Sequence, residues 1–282
     1  MNIRILVDST FNLEKDFVLE NNISVIPLNV IIDGKSYRDG VDISFIEVLD
    51  AVEKGSKVST SQPSPNVFLE FFENLKNEGA TDIVCLTISS TLSGTYQAAN
   101  IAKQDIEGVN IHIIDTLSTA IGAETITEIF VRYLNEGDSL DTAIEKITEV
   151  THNSGILMSM DNLNSLQKSG RITRIKPTIG NLLRVKPIIE FFNGDVNINS
   201  KMRTEKQVAE GIVDKMKDFF EGVDTKIHIS VAYVHFKDRI TQVLKRIQEE
   251  FPNVKVKVRD GITPVIAINL GYGGFGVSFS FE

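Results

Sequence analysis

The 282-residue chain has no tryptophan and only one cysteine, Cys85. A lone cysteine excludes an internal disulfide and fits a reducing compartment, so the cytoplasm is the expected location. With four scattered histidines beside that single cysteine, a structural zinc site is not expected. Basic residues are the minority: 29 against 38 acids leave a net charge of −9, which argues against nonspecific nucleic-acid binding. No apolar run is long enough for a membrane-spanning helix. The start, MNIRILVDST, lacks the basic region and apolar stretch of a signal peptide, so none is expected. What is present is ordinary globular composition, 42% hydrophobic and 24% charged, sufficient for a sizeable core. The length allows two domains of ordinary size.

The first half alternates strand-like and helix-like segments. Residues 3–8 and 23–32 read as strands, and residues 34–40 as a turn region. Ser44-x-x-Glu47 is a capping box that opens a helix. Ser64-Pro65 is a second helix start, followed by Phe68, Phe71, Phe72 and Leu75 at amphipathic spacing. Strands are predicted over residues 83–88 and 111–115, a helix over 97–103, and helices over about 119–134 and 139–150. This alternation predicts a mostly parallel sheet with flanking helices.

The second half has another rhythm. Asn193-Gly194, between apolar runs at 188–192 and 196–198, is a strong hairpin signal. A helix is predicted over 204–220, a strand over 227–234, a helix over 237–250 and a strand over 254–259. The final run, 276–281, alternates Val277, Phe279 and Phe281 with serines. A mixed sheet with helices follows, and the boundary falls near residues 151–156. The expected division is residues 1–153 and 154–282.

Four segments bear on chemistry. Ser89-Ser90-Thr91-Leu92-Ser93-Gly94-Thr95 follows a buried strand and precedes a helix, which suits either an anion site or a plain capping loop. Residues 58–64 cluster hydroxyls before the next helix and read first as a capping turn. Residues 271–276, Gly-Tyr-Gly-Gly-Phe-Gly, lack the strand–helix context of a dinucleotide fingerprint and read as a turn between two strands. From Asn162 to Ile189 there is no acid but there are six cations, Lys168, Arg171, Arg174, Lys176, Arg184 and Lys186. Such a stretch suits an acidic partner, a phosphate or an anionic membrane surface, or is a solvated face. Ser93 lacks the flanking glycines of a nucleophile elbow, and no histidine is placed beside it by sequence. Cys85 reads as a small core residue.

Taken in order, these segments resemble the bacterial DegV family. The resemblance is carried by Asp8-Ser9-Thr10, Thr60-Ser61-Gln62-Pro63-Ser64, Ser93-Gly94-Thr95-Tyr96-Gln97, Lys168-Ser169-Gly170-Arg171-Ile172, Lys186-Pro187-Ile188 and the glycine-rich tail. It implies two α/β domains with a long-chain fatty acid in the crevice between them. It also implies that the carboxylate is presented to a separate ATP-dependent kinase subunit, which makes an acyl-phosphate for phospholipid synthesis. By the same resemblance, Thr60, Ser93 and the Gly94 N–H would bind the carboxylate, and Arg171 would work with the kinase. No cofactor, metal or nucleic acid is implied. Asn269 stands where the family tail has a histidine, and Tyr272 where it has a proline. Asparagine donates a neutral hydrogen bond, roughly half as strong as a charge-assisted one. A general lipid carrier and a Ser93-dependent hydrolase are the competing readings.

Overall fold

Three sheets organise the described residues, 2–161, 163, 166 and 186–282, of the computed structural model. The first is wholly parallel, in the order β2-β1-β6-β7, with β1 Ile3–Asp8, β2 Ile23–Ile26, β6 Asp82–Thr87 and β7 Asn110–Asp115. Its strands are apolar on both faces, as a sheet covered on both sides requires. Val7, Val84, Leu86 and Ile114 point to one core, and Leu6, Ile83 and Cys85 to the other. The second core is closed by α3 (Pro65–Asn77) and α4 (Thr95–Lys103), through Phe68, Phe72 and Ala99. The first is closed by α5 (Ala120–Asn135) and α6 (Leu140–His152), through Phe130 and Ile147.

The predicted strand over residues 23–32 is two strands. Pro27, which has no N–H to donate, follows β2, and β3 (Asn29–Ile32) then enters a separate antiparallel sheet, β4-β3-β5. The predicted turn region at 34–40 contains β4 (Lys35–Arg38), and β5 is Val58–Ser61. Asp33 and Gly34, both at positive φ (49° and 85°), make the two-residue link from β3 to β4. A short helix, α1 (Lys15–Glu20), was not anticipated. The capping box at Ser44 opens α2 (Phe45–Glu53), and Ser64 caps α3 with Pro65 at its first position.

The third sheet is mixed, in the order β10-β9-β8-β13-β11-β12. Its strands are β8 Ser154–Ser159, β9 Lys186–Phe192, β10 Asp195–Met202, β11 Ile227–Tyr233, β12 Val256–Asp260 and β13 Phe275–Phe281. Only β11 and β12 run parallel. Asn193 and Gly194, at φ 49° and 78°, turn β9 into β10, as their sequence predicts. One face of this sheet, with Leu157, Val231, Val277 and Phe279, packs under α7 (Glu205–Phe219) and α8 (Thr241–Glu250). The predicted helix over 237–250 begins as a 3-10 turn, Lys237–Ile240. Strand β8 begins inside the segment expected to interrupt the pattern. A short helix, α9 (Pro264–Leu270), precedes β13, so residues 271–274 join a helix to a strand rather than two strands.

The opposite face of the third sheet meets α5. Thr125 and Ser230 hydroxyls lie 3.3 Å apart across this contact. Helix α5 is buried over most of its length, as a helix between two sheets must be. It belongs to both halves, and its first turn lies where they meet.

Candidate functional site

The strands of the parallel sheet end in loops that are held by acids, Asp8 buried and Asp115 half-buried. Asp8, at the end of β1, accepts from the Ile88 N–H (2.6 Å), the Thr10 N–H (2.9 Å) and the Thr10 hydroxyl (2.5 Å). Asp115, at the end of β7, accepts from the Ser90 N–H at 3.2 Å, and Ser89 N–H donates to the Ser118 carbonyl at 2.8 Å. Thr91 Oγ1 donates to the Gly194 carbonyl (2.6 Å), which fastens the loop to the β9–β10 turn. The loop after β6 is thus tied on three sides. Its serines sit where ligands bind in open α/β sheets, beyond the carboxyl ends of the strands.

A cavity partly open to solvent lies between the parallel sheet's loops and the third sheet. Its walls are mostly aliphatic: Leu92, Ile121, Ile156, Met158, Ile262 and Ile266 are among them. Polar groups are few and come from separate elements. Thr60 stands on β5, Ser93 just before α4, Thr119 just before α5, and Asn269 near the end of α9. Three of the four carboxylate-site residues expected from sequence, Thr60, Ser93 and Asn269, therefore line one cavity. Gly94 is not among its lining residues and faces the adjoining outer groove. Arg171 lies outside the described residues, as do Lys168, Arg174, Lys176 and Arg184. Lys186 is described and is paired with Glu205 (2.7 Å) and Asp161 (3.3 Å).

The Ser93 hydroxyl is 2.9 Å from that of Thr95 and has no histidine partner. His112 contacts Asp82, His152 contacts Asn193 and His228 contacts Glu282, while His235 packs on Phe236 and Tyr272. Among the described residues the geometry supplies a hydroxyl at Ser93 but places no histidine beside it as general base. Asn269 Nδ2 donates to the Val265 carbonyl of its own helix (2.7 Å), which leaves its second N–H for a ligand. Tyr272, at the position of the family proline, donates to the Leu49 carbonyl and ties the tail to α2.

A second buried acid, Asp39, was not singled out by sequence reasoning. It accepts from Ser9 Oγ (2.7 Å), and its other carboxylate oxygen, Oδ1, is buried without a hydrogen-bond partner among the described residues. Ser9 Oγ also accepts from the Leu28 N–H at 3.0 Å, so Asp39 and Ser9 together hold the chain that follows β2. Burial raises both Asp8 and Asp39 from 3.8 to about 6. The unfolded chain releases these protons near pH 3.8, whereas the folded chain holds them to about pH 6. The folded state binds more protons across that window, so these two acids make stability fall as pH rises through it. Asp8→Asn removes one such titration, so the total decline becomes smaller by about 3 kcal/mol. Urea unfolding followed across the window measures it, and a profile that keeps the wild-type slope contradicts the assignment.

Comparison with known proteins agrees with this architecture. The sequence model of the DegV family, described as uncharacterised proteins, matches residues 2–282. A DegV domain-containing protein of Staphylococcus aureus is 30% identical over 281 residues, covering 99% of this chain and 97% of the relative. A DegV family protein of Thermus thermophilus, described for its fatty-acid binding, superposes with a TM-score of 0.91 at 28% identity and covers 100% of both chains. A stearic-acid-binding protein of Eubacterium ventriosum gives a TM-score of 0.88 at 26% identity, covering 100% of this chain and 98% of the other. With its whole length matched by the family model, and with the α/β fold of the family's solved structures, the chain is a member of the DegV family.

Proposed function

We propose that this protein binds a long-chain fatty acid in the cavity and presents its carboxylate to a separate ATP-dependent kinase subunit. The observation that carries the reading is the convergence of Thr60, Ser93 and Asn269 on one cavity whose walls are mostly aliphatic. A chain of about 14 methylenes gains at most about 11 kcal/mol on burial, at about 0.8 kcal/mol each. Ordering costs several kcal/mol of that. The tail therefore supplies affinity, and the hydroxyls fix the head, because a carboxylate stripped of water without donors is costly. The relatives described as fatty-acid-binding share the fold and support the same ligand class.

In this reading the protein holds the substrate and performs no chemistry alone. The bound carboxylate oxygen is itself the nucleophile. It attacks the γ-phosphorus of ATP on the partner subunit, a carboxyl O–P bond forms, and ADP leaves. Arg171 faces that partner, and the basic stretch around it makes transient contact with anionic membrane surface. We place the protein in the cytoplasm and divide it at residues 153 and 154, with the fatty acid between the two parts. Among the described residues no helix is long and apolar enough to cross a membrane. The neutral Asn269 favours the second reading, a lipid carrier without a kinase, because a cation is missing where the head group would be held most tightly.

Thr60→Ala and Ser93→Ala are each expected to weaken fatty-acid binding by about tenfold, the cost of a lost hydrogen bond to a charged group. Fluorescence titration measures this, and unchanged affinity in both variants refutes the head-group site. Arg171→Ala is expected to bind fatty acid as the wild type does, yet to lose phosphorylation by the kinase subunit. Loss of binding in that variant would put Arg171 in the cavity instead.

A further inference from the structure

Beside the aliphatic cavity lies a second, more open groove, edged by Asn29, Ser64, Pro65, Gln97 and Ile101. Ser61 and Gln62 line both spaces. Gln62 thus stands between a lined interior and a solvent-facing groove, and it is itself exposed. Its backbone is held. Pro63 follows it and restricts it to extended conformations. Asn29 Nδ2 lies 3.4 Å from its carbonyl oxygen. Its side chain is not held: among the described residues the Gln62 amide makes no hydrogen bond.

What the side chain does touch is Gly94. A methyl group there would lie 2.9 Å from Gln62 Nε2 and 3.2 Å from its Cδ. Gly94 has φ −78°, an ordinary value for any residue, so its backbone does not call for glycine. The bare Cα instead offers a surface against which the Gln62 amide lies, and a methyl there would displace it.

We infer that Gln62 is the movable wall at the head-group end of the cavity, seated by Gly94. The inference rests on the fatty-acid reading above. Folded onto Gly94, the amide closes the cavity and donates an N–H to the carboxylate. Swung away, it leaves the carboxylate facing the outer groove, which becomes the side from which the head group is reached. The pinned backbone confines this motion to side-chain torsions. The role of Gly94 is accordingly to seat Gln62 rather than to bind the carboxylate directly.

The test is the rate at which a bound fluorescent long-chain fatty acid is displaced by unlabelled fatty acid, followed by stopped flow. Gln62→Ala is expected to release it about tenfold faster, as loss of a hydrogen bond to a charged group requires. Gly94→Ala is expected to speed release in the same direction, because the added methyl pushes out the flexible end of Gln62 while leaving the fold intact. In the double variant, Gly94→Ala is expected to add nothing, since the side chain that it displaces is gone. Wild-type release in Gln62→Ala overturns the inference, and so does a full Gly94→Ala effect in the double variant. Failure of the wild type to bind the fatty acid overturns the underlying reading as well. Binding by the wild type with unaltered rates in the variants overturns this inference alone.

Discussion

A fatty acid makes two opposed demands on a protein. Its hydrocarbon chain is stabilised by walls that offer no polar group, whereas its carboxylate, once out of water, needs several donors within reach. In the proposed reading the two demands are met by drawing the two kinds of wall from different places. Aliphatic surface comes from α5, α9 and one face of the mixed sheet. Hydroxyl groups come from chain segments next to strand and helix ends, at Thr60 and Ser93, where local conformation already favours such residues. Each donor belongs to a different element, so the site exists only when the elements are assembled.

Assembly depends on helix α5 and on buried acids. The helix lies between two sheets and contributes Phe130 to one core and Ile121 to the cluster beside the cavity. Asp8 fixes the loop after β6 through Ile88, and Asp39 holds Ser9, which in turn accepts from the Leu28 N–H. Both carboxylates are costly to bury, which is why their pKa values rise; the cost is offset for Asp8 by two backbone N–H groups and the Thr10 hydroxyl, and for Asp39 by the Ser9 hydroxyl. Asp8 thus holds the loop that leads to Ser93, which couples one of the fold's least favourable burials to the wall of the cavity.

Local signals in the sequence were good guides wherever local chemistry decides. Ser44 with Glu47 and Ser64 with Pro65 specify helix starts through their own hydrogen bonds and torsions, and both helices begin there. Asn193-Gly194 turns a hairpin for the same reason. Asp33-Gly34 carries the equivalent signal, but the flanking β4 is short and polar (Lys-Ser-Tyr-Arg), so its strand character comes from pairing with β3 and not from its own pattern. Helix α9 is seven residues long, too short for periodicity to reveal, although Thr263-Pro264 marks its start. The cavity's membership was legible only through family likeness, because Thr60, Ser93 and Asn269 are brought together by sheet order. The contact between Gln62 and Gly94 spans two strand–helix units, and no sequence spacing announces it.

The central claim is that the aliphatic cavity holds a long-chain fatty acid. Mass spectrometry of small molecules released by denaturing the purified protein tests it most directly. The account predicts a long-chain fatty acid in near-stoichiometric amount. An apolar ligand without a carboxylate, or protein that carries no lipid and takes up none when a fatty acid is supplied, would contradict it.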